Sequence, residues 1–423
     1  MEQKNITSIG QRILLLLLLI GWSNFSSAYS LLTHEAIIDV NWKKSIEPML
    51  LKKYPGSSPE ALLKAHSYAY GGAIMPDIGF SPFGSMFYTD LVHNVRTGDY
   101  IQALLEEAQD INEYAFALGS LAHYTADNYG HSVGTNVAVP LVYPKLKAKY
   151  GDIITYAEHG KSHSRVELSF DVLQTARGNY VTKNYHDFIG FGISTPLIER
   201  AFSKTYGLDV QDVFKSMSLA ISTYRWVVKS LLPTLVRTAW ANKKSELEKL
   251  TPGVKEQRFS YKMKNSNYYQ DYGRELQKAG FIPTVLSVII PILPKIGPLS
   301  KLRYKPPTEE VEKLFIRSFD STLVNYERSL RAIQSGSPDL PNKALDTGEK
   351  TSFGRYSIAD DTYAELLLVL QKDNFKNLSP ALRANLVNFY KDSSPVLSTK
   401  KDVKKWNEIK AALASGLQMA SEG

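Results

Sequence analysis

Leu121-Ala122-His123-Tyr124-Thr125-Ala126-Asp127-Asn128-Tyr129-Gly130-His131 sets three metal-capable side chains four residues apart. On an α-helix this spacing brings His123, Asp127 and His131 to one face, because residues i and i+4 lie one turn above each other. Neutral imidazoles and a carboxylate are ordinary ligands of Zn²⁺, and a carboxylate flanked by two imidazoles can bridge two ions. A second pair at the same spacing, His163-Ser-Arg-Val-Glu167, follows thirty-two residues after His131. A His and an acid one turn apart are often no more than an exposed hydrogen-bonded pair. The distribution of histidine argues for more. All 8 (His34, His66, His93, His123, His131, His159, His163 and His186) lie between positions 34 and 186, and none follows. A metal centre concentrates its ligands in whichever part of the chain builds it.

Upstream of this stretch, Lys4 and Arg12 precede an uncharged, mainly apolar run from Ile13 to Trp22 and the small residues Ser26-Ser27-Ala28. That is the three-part pattern of a signal peptide, with an apolar run too short to span a bilayer, and it predicts cleavage after Ala28. Residues 1–28 are read as the signal peptide, and the mature protein as secreted or periplasmic. The chain has no Cys. A lipoprotein anchor and a disulfide framework are therefore excluded, and a metal must be held by nitrogen and oxygen. The formal charge of +8 falls by one on cleavage, because Lys4, Arg12 and Glu2 leave together. A modestly basic chain favours anionic partners, either a phospholipid surface or nucleic acid, without choosing between them. With 43% hydrophobic residues there is ample core.

Apolar residues recur at three- and four-residue intervals over 61–70, 101–114, 116–129 and 165–173, which predicts amphipathic helices. Residues 213–241 continue the pattern, with Pro233 expected to kink or split the helix. Few segments alternate like strands, so the fold class is all-α. Residues 242–277 turn polar and Lys-rich around Pro252-Gly253, and 279–294 carry no charge but include Pro283, Pro291 and Pro294. Core burial and insertion into a membrane surface both fit that apolar segment. Helical patterns return over 308–334, 360–373, 379–392 and 401–417, with Ser379-Pro380 as a cap and first turn. The expected organisation is a catalytic domain over 29–245, a basic and apolar linker or membrane-contacting segment over 246–307, and a helical C-terminal region over 308–423. No repeat or nucleotide-binding glycine loop is evident.

Taken in order, the candidate ligands resemble those of the zinc-dependent phospholipase C family, whose superfamily includes the fungal single-strand-specific nucleases. The resemblance covers roughly residues 29–240. The family's mature N-terminus reads Trp-Gly-x-x-x-His, and here Tyr29-Ser30-Leu31-Leu32-Thr33-His34 keeps the spacing with Tyr for Trp and Ser for Gly. The family's Asp and its following His correspond to Pro76-Asp77 and Leu91-Val92-His93. Its His-x-x-x-Asp is His123 and Asp127, and its His-x-x-x-Glu is His163 and Glu167. The next His follows Asp127 sooner than in the bacterial phospholipases, and His131-Ser132 is similar to the corresponding stretch of glycosylphosphatidylinositol-specific phospholipase D.

The resemblance implies up to three zinc ions. Asp77, His93, His123 and Asp127 would hold one, and His131, His163 and Glu167 a second. Tyr29, through its backbone, and His34 would hold a third that shares Asp127. Asp77 is the candidate to order or deprotonate the attacking water. His159 is an alternative to His163, whereas His66 and His186 read as satisfied structural histidines. The implied activity is a phosphoric diester hydrolase, foremost a phospholipase C releasing diacylglycerol from a glycerophospholipid at a membrane surface. Two alternatives are a nuclease of the same superfamily and a non-catalytic membrane-binding protein with a structural metal site. The nuclease branch usually carries disulfides, which this chain cannot form. Nothing in the sequence points to a protein partner or an oligomeric state.

Overall fold

A computed structural model describes residues 31–177, 191–228, 244–250, 304–391, 393–395 and 398–418. In its first part the chain forms α1 Leu31–Asn41, α2 Glu47–Lys53, α3 Pro59–Ile74, α4 Met86–Asn94, α5 Thr97–Glu107, α6 Ile111–Tyr129, α7 Asn136–Val142, α8 Pro144–Tyr150, α9 Tyr156–Arg177, α10 Thr195–Tyr206, α11 Val210–Val213 and α12 Met217–Trp226. The later part forms α13 Glu309–Gln334, α14 Ser357–Lys372, α15 Pro380–Tyr390 and α16 Lys400–Gln418. Among the described residues the only strands are those of a short antiparallel hairpin, β1 Lys343–Ala344 and β2 Glu349–Lys350. The fold is all-α, as the periodicity predicts. No helix of the described residues is long and apolar enough to cross a membrane.

Helices α3 and α6 form the most extensive helix pair and the centre of the fold. Ser58 starts α3 by accepting from the Ala61 N–H, with Pro59 in the first turn. Asp110 starts α6 by accepting from the Asn112 and Glu113 N–H groups. That cap corrects the expectation of one helix over 101–114. The chain leaves α5 at Glu107 and begins a new helix at Ile111, because the Asp110 carboxylate meets N–H groups that have no partner inside the helix. Glycines set the spacing of the pair. A Cβ at Gly72 would collide with the Phe116 carbonyl, and one at Gly119 with the Ala69 carbonyl. Backbones this close let a main-chain carbonyl of α3 reach a side chain of α6.

A single hydrophobic cluster runs from Leu32 to Ala412, so the later helices share the core of the earlier ones. Helix α13 lies on α6, where the buried Tyr326 hydroxyl donates to the Leu118 carbonyl at 2.9 Å. Helix α14 lies on α4. Between them the hairpin is tied down by main-chain and side-chain bonds. Tyr124 donates to the Pro341 carbonyl at 2.7 Å, and the Leu345 N–H to the His93 carbonyl at 2.9 Å. Thr97 exchanges two 2.9 Å bonds with the Lys343 backbone.

The helical pattern expected from 213 onward is also broken. Helix α11 ends at Val213, Phe214 is extended, and Ser216 caps α12 by accepting from the Leu219 N–H. Pro233, the segment 279–294 and most of 246–307 lie outside the described residues. The predicted Ser379 cap is present and accepts from the Leu382 N–H.

Candidate metal centre

His123 and Asp127 stand on the last turns of α6, and the next residues, Gly130–Thr135, pass into a π-helical turn that carries His131. Such wide turns occur mainly where a function needs a shifted side chain. Asp77 comes from the 3₁₀ turn Met75–Phe80 at the end of α3, His93 from α4 and His34 from α1. His34, Asp77, His123, Asp127, His131, His163 and Glu167 are all buried, and His93 nearly so. So many ionisable groups inside one core require either protons or cations between them.

The first cage surrounds Asp127. Its Oδ2 lies 3.2 Å from His93 Nε2, 3.3 Å from His123 Nε2 and 3.9 Å from His131 Nε2, while its Oδ1 lies 3.6 Å from His34 Nε2. Asp77 Oδ1 is 3.5 Å from His93 Nε2. The tautomers of two rings follow from their other nitrogens. His93 Nδ1 sits 2.7 Å from the Thr89 carbonyl and His123 Nδ1 2.8 Å from the Ala73 carbonyl, so each Nδ1 must be the donor. The two Nε2 atoms, 3.0 Å apart, then face each other and Asp127, each with a lone pair when its ring is neutral.

Three acceptors converging this way suit a cation. Ligands about 2.0–2.2 Å from a tetrahedral Zn²⁺ stand about 3.3–3.6 Å from one another, close to the spacings found. The carbonyls of Thr89 and Ala73 act as the outer partners that fix ring tautomer and direction. The Ala73 contact depends on the glycine-spaced packing of α3 on α6.

Charge on the site follows the same geometry. Burial and the neighbouring His123 lower His34 to about 4, keeping its ring neutral. Burial opposes charge on His93, yet its bonds to Asp127 and Asp77 raise it well above the ordinary imidazole range. Burial likewise opposes ionisation of Asp127, but His123, His93 and His131 hold it well below the carboxylate range. A proton and a divalent cation compete for the same lone pairs.

The second group lies on the far side of His131. The His131 and His163 rings stack with centroids 4.8 Å apart, and His131 Nδ1 is 3.3 Å from His163 Nε2. One donor atom from each of His131, His163 and Glu167 falls within 4.8 Å of the others. Glu167 Oε1 is 2.6 Å from His163 Nδ1, the ring nitrogen opposite the one that faces His131. A residue that the sequence reading did not single out stands at that face. Asp346, in the turn of the hairpin, places Oδ1 3.0 Å from His131 Nδ1 and 3.5 Å from His163 Nε2. Burial opposes its ionisation, but His131 and His163 lower it to about 2. Asp346 in turn raises His131 to about 9 against the pull of burial. Nothing in Leu345-Asp346-Thr347-Gly348 marks this acid from sequence, since it reads as an ordinary turn.

The remaining histidines separate clearly where they are described. His159 interrupts the helical path of α9 at φ −156°, ψ 68° and accepts from the Ser162 N–H at 3.3 Å, outside both groups. His66 stacks on Trp42 and bonds Asp39 at 3.1 Å, the satisfied structural role expected of it. Tyr29 and His186 lie outside the described residues. A cleft opens onto both metal-binding groups between Asp77, Phe80, Asp90, His93, Tyr156 and Tyr356. Asp90 was also not anticipated, and burial raises its carboxyl to about 6.

Residues 33–214 match a family model described as zinc dependent phospholipase C. The match contains His34, Asp77, His93, His123, Asp127, His131, His163 and Glu167, and it ends well before Asp346. No curated protein and no solved structure matches the chain.

Proposed function

Because residues 33–214 belong to the zinc-dependent phospholipase C family, we propose that the protein is an exported phospholipase C that hydrolyses a glycerophospholipid to diacylglycerol and a phosphorylated head group. The observation that carries this reading is the convergence of the His93 and His123 Nε2 lone pairs on Asp127, an arrangement built for cations. In it His93, His123, Asp127 and Asp77 hold one zinc. His131 and His163, with Glu167 beside them, would hold a second, and Tyr29 with His34 a third that would also use Asp127. Bound zinc polarises phosphoryl oxygens and lowers the pKa of water toward neutrality.

The chain's own residues supply position and proton handling. Asp77, at the cleft and 3.5 Å from His93 Nε2, orders or deprotonates the attacking water. Phe80, Tyr156, Tyr356 and Ile358 line the cleft and offer an apolar edge to a lipid. The uncharged segment 279–294 and the cations that follow it supply the membrane contact. Those cations are Lys295, Lys301, Arg303 and Lys305.

The test is turnover by the mature, zinc-loaded protein of phosphatidylcholine, phosphatidylinositol and single-stranded DNA. Release of diacylglycerol that stops with a chelator and returns with zinc is the expected result. Cleavage of DNA alone would establish the nuclease. Lipid binding by zinc-free protein, with no turnover of any substrate after zinc is restored, would establish a binding protein.

A further inference from the structure

We propose that Asp346, from the C-terminal hairpin, is a ligand of the ion held by His131 and His163, and that Glu167 acts behind His163 as its orienting carboxylate. The proposal rests on the zinc reading above and departs from the ligand set implied by family resemblance, in which Glu167 is the oxygen donor.

Geometry distinguishes the two carboxylates. His163 has two ring nitrogens, and Glu167 occupies Nδ1 at 2.6 Å. An ionised carboxylate only accepts, so Nδ1 carries a proton and Nε2 is the ring nitrogen that faces the centre. There it meets His131 Nδ1 at 3.3 Å and Asp346 Oδ1 at 3.5 Å, while His131 Nδ1 and Asp346 Oδ1 are 3.0 Å apart. Three donor atoms at 3.0 to 3.5 Å from one another match the edges of a tetrahedral zinc site with bonds of about 2.0–2.2 Å. Glu167 cannot reach that point while it holds Nδ1. A carboxylate on the outer nitrogen of a ligating histidine is the usual arrangement around zinc.

The surroundings of Asp346 fix its direction. Its Oδ2 accepts from the Tyr156 N–H at 3.0 Å, at the start of α9, which keeps Oδ1 turned toward the imidazoles. Its backbone carbonyl accepts from Asn136 Nδ2 at 2.7 Å, which turns Asn136 Oδ1 to His163 Nε2 at 2.6 Å. Asn136 Oδ1 only accepts, so His163 Nε2 donates to it here and carries a proton that an ion would replace, with Asp346 Oδ1 and His131 Nδ1 as the other donors at that point. The hairpin itself is held over α4 and α5 by the His93 carbonyl and by Thr97. Residues 340–351 thus complete a site that the family segment begins.

Zinc stoichiometry and affinity, measured by elemental analysis and chelator competition, decide the point independently of activity. Asp346→Asn keeps an oxygen for the Tyr156 N–H but is a poor ligand, and it should lose one ion per chain. Glu167→Gln should keep that ion, bound about 10–100-fold more weakly. Asp346→Glu restores a carboxylate and should recover the ion, which guards against a folding defect in the first variant. Unchanged stoichiometry and affinity in Asp346→Asn overturn the proposal and leave Asp346 as a cap of α9. A wild-type chain that binds no zinc overturns the zinc reading together with it.

Discussion

Around Asp127 Oδ2, the imidazoles of His93 and His123 are aimed by carbonyls of Thr89 on α4 and Ala73 on α3, all within residues 73–127. Around His131 and His163, the facing carboxylate is Asp346, 215 residues beyond His131 in a hairpin with no helical pattern of its own. The first cage draws on α1, α3, α4 and α6, all within the first hundred residues or so of the described chain. The second is assembled between the turn after α6, helix α9 and the C-terminal hairpin, so a segment cut at the limits of the family match would retain one cage and lose a carboxylate of the other. Motif spacing describes a site well when its ligands ride on one helix, and poorly when a distant turn supplies one.

Asp127 turns one oxygen to His93 and His123 and the other to His34, and its replacement gives the largest effect. Asp127→Asn should lower kcat/KM by more than about a hundredfold, beyond what loss of an outer partner costs, and should release more than one ion per chain. Loss of a single ion with substantial activity left would show that the carboxylate serves one ion only. Gly119→Ala should separate the sides more gently. Its Cβ pushes Ala69, and with it the Ala73 carbonyl, away from His123. Overpacking of this kind costs about 1–3 kcal/mol. The variant should melt earlier and bind the first ion more weakly, with the His131 and His163 ion unaffected. Equal weakening at both would mean that the two cages share one support.

Much of this was legible in the sequence, for reasons that are local. The cap at Ser379 was read from Ser379-Pro380, whereas those at Ser58 and Asp110 emerged from the structure, Asp110 splitting what periodicity alone reads as one helix over 101–114. His123 and Asp127 were legible because a helix converts a four-residue spacing into one face. His131 was legible as a candidate, but its turn into a π-helical segment and its partner were not. Asp346 looks toward its imidazoles only because Gly348 turns the hairpin at φ 72°, Tyr156 holds Oδ2 and Thr97 anchors the strand. Those are contacts across the fold, and no spacing along the chain encodes them.

Anomalous diffraction at the zinc edge, on crystals of the zinc-loaded full chain, tests the central claim most directly. One peak is expected among Asp127, His93 and His123, a separate one among His131, His163 and Asp346, and a third beside His34. A map with no peak at Asp127 would contradict it.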